Sequence, residues 1–174
     1  MPPHATAQDV IVADNDYTIR DILRSLLDRF GLNVIPAEDG LEAIDYASRT
    51  RARLVILDLK MPKLDGFAAC ARIRHLPGYL DVPIAILSAF DSAATRQAAR
   101  NAGATRFLSK PFRPIELLRS VRDLLGETPA DGTLRGLAEP PPVFVWKRRT
   151  EAAPRHGEPD GLSDAGRLLR ICRR

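Results

Sequence analysis

The sequence predicts a doubly wound α/β fold, with five parallel strands in one sheet and five helices covering both faces. Two observations carry that expectation. Short apolar runs rich in Val and Ile recur five times in the first 126 residues, and stretches with helical apolar spacing separate them. The runs are also apolar throughout rather than alternating, as strands buried on both faces must be. Strands alternating with helices imply right-handed crossover units, which place the helices on both sides of a parallel sheet.

Taken in order, residues 10–13 read as the first strand. Ile19, Ile22, Leu23, Leu26, Leu27 and Phe30 follow as an i, i+3, i+4, i+7 stripe, with Gly31 as its C-cap. Residues 33–36 form strand two, and Leu41, Ile44 and Ala47 mark helix two. Residues 54–57 are strand three, and Phe67, Cys70 and Ile73 mark helix three. Residues 84–87 are strand four, followed by an Ala-rich helix over residues 92–102. Residues 106–108 are strand five. Pro114 opens the last helix, which runs through Ile115, Leu117, Leu118, Val121 and Leu125.

Composition narrows the function classes. The chain has 174 residues, of which 45% are apolar and 28% charged, as suits a folded domain in water. No apolar run approaches the roughly 18 residues that span a bilayer. Residues 1–8 show no basic stretch followed by an apolar one, so no secretion signal is expected. Cys70 and Cys172 are far apart and match no metal spacing, which fits a reducing, cytoplasmic compartment. The net charge of +4 divides evenly: 17 basic and 15 acidic residues through Gly126, then 9 and 7 beyond it. A nucleic-acid binder concentrates such charge, so this distribution argues against that partner.

In doubly wound folds, chemistry collects at the carboxyl ends of the strands. Strand one ends in Asp14-Asn15-Asp16, strand three in Asp58, strand four in Ser88-Ala89 and strand five in Ser109-Lys110-Pro111. One sheet edge therefore gathers carboxylates, a hydroxyl and a lysine. A carboxylate after an apolar strand needs a cation or donors nearby. A hard divalent ion such as Mg²⁺ takes carboxylate, carbonyl and water oxygens. A carboxylate nucleophile, with metal and lysine neutralising the transferred oxygens, suits phosphoryl transfer.

These residues sit in a recognisable order. Asp58 is followed by Met61-Pro62 and Asp65-Gly66, Ser88 by Ala89, Gly103-Ala104 precede strand five, and Lys110 is followed by Pro111-Phe112. Over about residues 8–126, the chain resembles the CheY-like response regulator receiver domains of bacterial two-component systems, which share a flavodoxin-like fold. The resemblance implies a signalling switch rather than an enzyme. It implies Asp58 as phospho-acceptor, a sensor histidine kinase or phosphotransfer protein as donor, and Mg²⁺ as cofactor. It implies Asp14, Asn15, Asp58 and the Lys60 carbonyl around the metal. Ser88 and Lys110 would sense the phosphate, and Phe107 would be the aromatic that rotates on activation. Output would run through a downstream protein whose identity the residues do not give, or through phosphorylation-dependent pairing of two copies.

One departure matters. Asn15 stands where the family places the acid that contacts the metal, so weaker Mg²⁺ binding is expected, with Asp16 as a candidate compensator. It also motivates a rival reading, a degenerate receiver that binds partners without phosphorylation. A second rival, a haloacid-dehalogenase-like phosphatase, rests on Asp14-Asn15-Asp16-Tyr17-Thr18 as a DxDxT motif. It lacks the further acidic pair and the insertion that such enzymes need.

Residues 127–174 break the pattern. They hold Pro140-Pro141-Pro142, an apolar island at residues 143–146 with the chain's only tryptophan, and a basic ending. With too little periodicity for a second core, this Pro- and Arg-containing extension is expected to be largely disordered. No DNA-binding effector is legible in it, so a stand-alone regulator is expected.

Overall fold

The computed structural model describes residues 9–127. The expectations for the extension, and for the apolar island at residues 143–146, lie outside the described residues. The elements follow in strict alternation: β1 (Asp9–Ala13), α1 (Tyr17–Asp28), β2 (Asn33–Ala37), α2 (Gly40–Arg49), β3 (Leu54–Asp58), α3 (Gly66–Arg74), β4 (Ile84–Ser88), α4 (Ala93–Asn101), β5 (Arg106–Ser109) and α5 (Pro114–Leu124). The five strands form one parallel sheet in the order β2-β1-β3-β4-β5. The chain thus reverses its direction of winding after β2, and the crevice of such a fold opens there, above β1 and β3.

Why the strands are apolar on both sides is plain from the two cores. Ile11, Ala13, Val55, Leu57, Ile84 and Ile86 point to the layer that α2, α3 and α4 cover through Ala43, Ala47, Cys70, Ile73 and Ala99. Their neighbours Val10, Val12, Leu54, Ile56, Ala85 and Leu87 point to the layer of α1 and α5, against Leu23, Leu27, Leu117, Leu118 and Val121. Truncating any one of these large side chains to Ala costs on the order of 2–5 kcal/mol. Strand β5 differs: all four of its residues are only half-buried, as befits a sheet edge.

Local chemistry sets the boundaries. Asp16, Asp39, Asp65 and Ser92 cap α1, α2, α3 and α4 by accepting backbone N–H bonds, and Pro114 opens α5. Helix α1 ends at Asp28, and Gly31 (φ 72°) closes its C-terminus as expected, with Gly31 N–H on the Asp28 carbonyl (3.0 Å) and Leu32 N–H on the Leu27 carbonyl (3.3 Å). One detail departs from expectation. Leu41 is 44% exposed; Ala43 and Ala47 make the inner face of α2 instead. Among the described residues, no helix is long and apolar enough to cross a membrane.

At the amino ends of β4 and β5, opposite the crevice, one side chain ties two loops together. Arg74, at the end of α3, donates to the carbonyls of Gly103 (2.8 Å), Tyr79 (2.8 Å), Leu80 (3.2 Å) and Val82, and to the Thr105 hydroxyl (3.0 Å). It joins the loops that lead into β4 and β5. A lysine has no planar fork to serve these acceptors together. Because charge-assisted bonds contribute about 1.5–3 kcal/mol each and are not additive, Arg74→Ala should destabilise the fold by about 2–4 kcal/mol in urea unfolding. Arg74→Lys should recover less than half of that loss.

Candidate functional site

Two consequences of strand geometry build the site. Asp14 follows β1 directly and Asp58 is the last residue of β3, and β1 and β3 are paired neighbours, so their acidic ends lie side by side. Both carboxylates are nearly withdrawn from water, with Asp14 1% and Asp58 7% exposed. Lys110, just past β5 and linked to Pro111 by a cis peptide bond, extends its side chain across the crevice. Its Nζ donates to Asp14 Oδ2 at 2.5 Å and to Asp58 Oδ1 at 2.8 Å. The remaining oxygens find backbone donors: Asp16 N–H reaches Asp14 Oδ1 (2.9 Å) and Lys60 N–H reaches Asp58 Oδ2 (3.1 Å).

The charges do not cancel. Two carboxylates face one ammonium in a desolvated cup. Burial pushes the Asp58 carboxyl above the ordinary carboxylate range; the Lys110 charge opposes this, and the Asp14 charge adds to it. The backbone around Asp58 is equally constrained. A Cβ on Gly66 would lie 2.2 Å from the Asp58 carbonyl oxygen, so only glycine lets the start of α3 close onto the end of β3. Gly66 N–H, bonded to the Leu59 carbonyl at 3.0 Å, seals that closure.

The other expected residues surround this cup. Asn15 is exposed, at the lip of an opening shared with Lys60, Met61, Pro62 and Phe90. Lys60 is exposed as well, and its Nζ lies 4.0 Å from the centre of the half-exposed Phe90 ring, spanning two of the loops at the opening. Ser88 is buried at the end of β4, where its Oγ accepts Phe90 N–H at 3.0 Å. Ser92, not Ser88, caps α4. Phe107 lies on the edge strand, half-buried, on the opposite sheet face from the Val12 layer. Asp16 spends its carboxylate on Thr18 N–H (2.8 Å) as the cap of α1, and α1 begins at Tyr17. The second acid of the DxDxT reading, Asp16, is thereby taken up by the helix cap, and no insertion separates β1 from α1.

Three supporting interactions were not expected from the sequence. Arg20 is 8% exposed and donates to the Asp14 carbonyl (2.6 Å) and to Glu38 (3.1 Å), fixing the turn after β1. A cation inside the apolar stripe of α1 was the signal for it. Arg96 stacks its guanidinium 5.0 Å from the Phe107 ring centre. Asp91 holds Arg96 by two 2.6 Å bonds and accepts Ser109 Oγ–H at 2.5 Å. The third is the Asp39–Lys63 pair, described below. Among the described residues, no group of three or more His, Cys, Asp or Glu side chains is placed to hold a metal.

Comparison with known proteins settles the kinship of this arrangement. The family model for the response regulator receiver domain matches residues 10–122. The chain belongs to that family. The receiver is 41% identical over 122 residues to response regulator MprA of Mycobacterium sp. (strain KMS), covering 70% of this chain and 52% of that protein. It is 38% identical over 129 residues to MprA of Mycobacterium leprae, covering 74% of this chain and 56% of that one. The chain therefore spans about half the length of these relatives. Among solved structures, the receiver resembles the chemotaxis protein CheY4 of Vibrio cholerae, with a TM-score of 0.66 and 31% identity over 68% of this chain and 99% of that one. It also resembles the receiver domain of sensor histidine kinase PA1611 from Pseudomonas aeruginosa (TM-score 0.65, 28% identity, 70% and 99% covered), a structure with a magnesium ion coordinated in the active-site cleft.

The raised Asp58 pKa makes the stability of the fold depend on pH. The folded chain holds this proton more tightly than the unfolded one, so its stabilising effect is present at acid pH and is lost as pH rises from the ordinary carboxylate range through the raised value. Above that window, the ionised Asp58 burdens the fold. In EDTA, Asp58→Asn should therefore be more stable than wild type at pH 7, and the gap should close as pH falls below 4 in urea titrations at several pH values.

Proposed function

We propose that this receiver accepts a phosphoryl group on Asp58 from a phosphohistidine of a histidine kinase or phosphotransfer protein, and signals through protein contacts. The observation that carries this reading is the placement of Asp14 and Asp58, buried and adjacent, on the single Lys110 ammonium at 2.5 and 2.8 Å. A structural ion pair needs one acid; two acids on one cation leave negative charge at the mouth of a crevice, where a divalent ion and a phosphoryl group are attracted.

The donors fit Mg²⁺. Asp14, Asp58, the Asn15 amide oxygen and the Lys60 carbonyl are all hard oxygens, and Asn15 and Lys60 stand together at the opening. Held by these residues, the ion would supply positive charge to offset that of the phosphoryl oxygens. In the transfer, an Asp58 carboxylate oxygen bonds to phosphorus as the phosphorus–nitrogen bond to the donor imidazole breaks. The nitrogen keeps the electron pair and takes a proton. Lys110 then trades part of its hold on Asp58 for a phosphoryl oxygen, and the Ser88 hydroxyl donates to another. The phosphoryl group carries close to two negative charges at neutral pH, about one more than the carboxylate it replaces, and draws on both donors. Ser88 and Phe107 form the switch: movement of Ser88 lets the Phe107 ring turn inward and leave Arg96. That changes the face made by α4, β5 and α5, where the signal is read as a shift between two packings.

Incubation with Mg²⁺ and acetyl phosphate, followed by intact mass measurement, tests the reading. Wild type should gain one phosphoryl group, acid-labile at Asp58, and Asp58→Asn should gain none. A wild type without that gain would favour a phosphorylation-independent binding module, the rival motivated by the exposed Asn15.

Asn15 bears on the cofactor separately. An amide supplies a neutral oxygen in place of a carboxylate. Asn15→Asp should bind Mg²⁺ about tenfold more tightly in calorimetric titration, roughly the 1.4 kcal/mol of one added carboxylate in a partly solvated site. Equal affinities would refute the weakening.

A further inference from the structure

The loop from Asp58 to Gly66 carries the Lys60 N–H and carbonyl, and its apex is held in an unfavourable shape. Lys63 has φ 62°, in the left-handed region that a side chain disfavours. Leu64 N–H bonds back to the Pro62 carbonyl at 2.6 Å, closing a three-residue turn around Lys63. Turns of that kind with a positive φ at their centre are rare and strained. An unconstrained lysine in a surface loop would relax out of this conformation.

What opposes the relaxation is a carboxylate from the neighbouring crossover. Asp39 is 2% exposed and divides its oxygens: Oδ1 accepts Leu41 N–H and Glu42 N–H, both at 2.9 Å, and Oδ2 accepts Lys63 Nζ at 2.5 Å. The Lys63 hydrogen bond is the leading reason that the Asp39 carboxyl lies below its ordinary range. The next residue completes the contact, since a Cβ on Gly40 would lie 2.6 Å from the Leu64 carbonyl oxygen. The backbones after β2 and β3 therefore touch immediately beside the ion pair. An exposed ion pair alone is weak, but here one partner is buried and the other anchors a strained turn.

We propose that Asp39 and Lys63 are positioning residues for the phosphorylation site: the pair holds the 58–66 loop so that the Lys60 backbone is presented to Asp58 and to the metal. This inference rests on the function proposed above, because it concerns the same site. Neither side chain reaches the acidic cup. They act through the loop's shape.

Lys63→Gly separates this role from a merely structural one. Glycine accepts the positive φ without strain, so the variant loses the tether while the backbone penalty disappears and the fold should stay as stable as wild type. In the full chain, its Mg²⁺ affinity by calorimetry and its rate of phosphorylation by acetyl phosphate should both fall about tenfold, the lower end of what supporting residues contribute to metal sites. The Lys60 amide, bonded to Asp58 Oδ2, should exchange with deuterium faster than in wild type in metal-free protein. Lys63→Arg should restore all three to within about twofold, because a guanidinium can still reach Asp39. Asp39→Asn keeps the cap through Oδ1 and loses the charge at Oδ2, and should match Lys63→Gly in loop exchange. Wild-type Mg²⁺ affinity and wild-type Lys60 exchange in Lys63→Gly would overturn the proposal. Absence of any phosphoryl gain in wild type would instead overturn the function, and the exchange measurement would still decide the brace.

Discussion

One ammonium between two buried carboxylates is the interaction on which the rest of the molecule depends. Lys110 lies 96 residues from Asp14 and 52 from Asp58 in sequence, so it joins them only when β1, β3 and β5 share one sheet in the right order. Burying two acids with one cation is expensive for the fold, because desolvation is only partly repaid by attraction. The molecule limits that expense with local donors, the Asp16 and Lys60 amides, rather than with a second cation. What remains is an unneutralised charge at the mouth of the crevice, a deliberate-looking excess for a purely structural cluster and a useful one for attracting a cation and a phosphoryl group.

Rigid and yielding parts of the scaffold are separated accordingly. Strands β3 and β4 are buried along their whole length and pack on both faces, so the backbones of Asp58 and Ser88 are firmly held and change there is left to the side chains. Close-packed layers of this kind do not deform gradually. The half-buried edge strand β5 is different. It carries Phe107, and Lys110 follows directly, so the rearrangement proposed on phosphorylation would have its easiest path there. The Asp91–Arg96–Ser109 cluster lies over the same strand, and its stacking on Phe107 gives the ring a defined resting place to leave.

Much of this was legible in the residues because it is written locally. The strands declare themselves through unbroken apolar runs, and the site through polar residues at run ends. Asp58 and Lys110 needed only their position to be placed at the crevice. Side chains that act across loops were not legible. Lys63 and Asp39 are 24 residues apart, and nothing in either segment says that they meet. Arg20 reads as a polar interruption of a helix until its guanidinium is seen on the Asp14 carbonyl. Arg96 reads as surface charge until it is found on Phe107. Long cationic stems reach partners that periodicity cannot specify. Leu41 misled for the complementary reason: small alanines fill the crowded inner face of α2, and the larger leucine is left outside.

If Asp58 accepts a phosphoryl group as proposed, Asn15 is best understood through the charge of the cup before and after transfer. With Asp14, Asp58 and Lys110, the site carries one net negative charge, and a divalent cation makes it one positive. Conversion of Asp58 to its acyl phosphate replaces one negative charge with about two, which brings the occupied cup to neutrality. A third carboxylate at position 15 would grip the cation harder but leave the phosphorylated cup negative. On that function the amide would weaken the hold on the metal in the resting protein while removing a repulsion that the phosphorylated state would suffer. On that account Asn15 shifts where the site spends its electrostatic attraction, from the ion toward the phosphoryl group, and is not by itself a sign that phosphorylation has been lost.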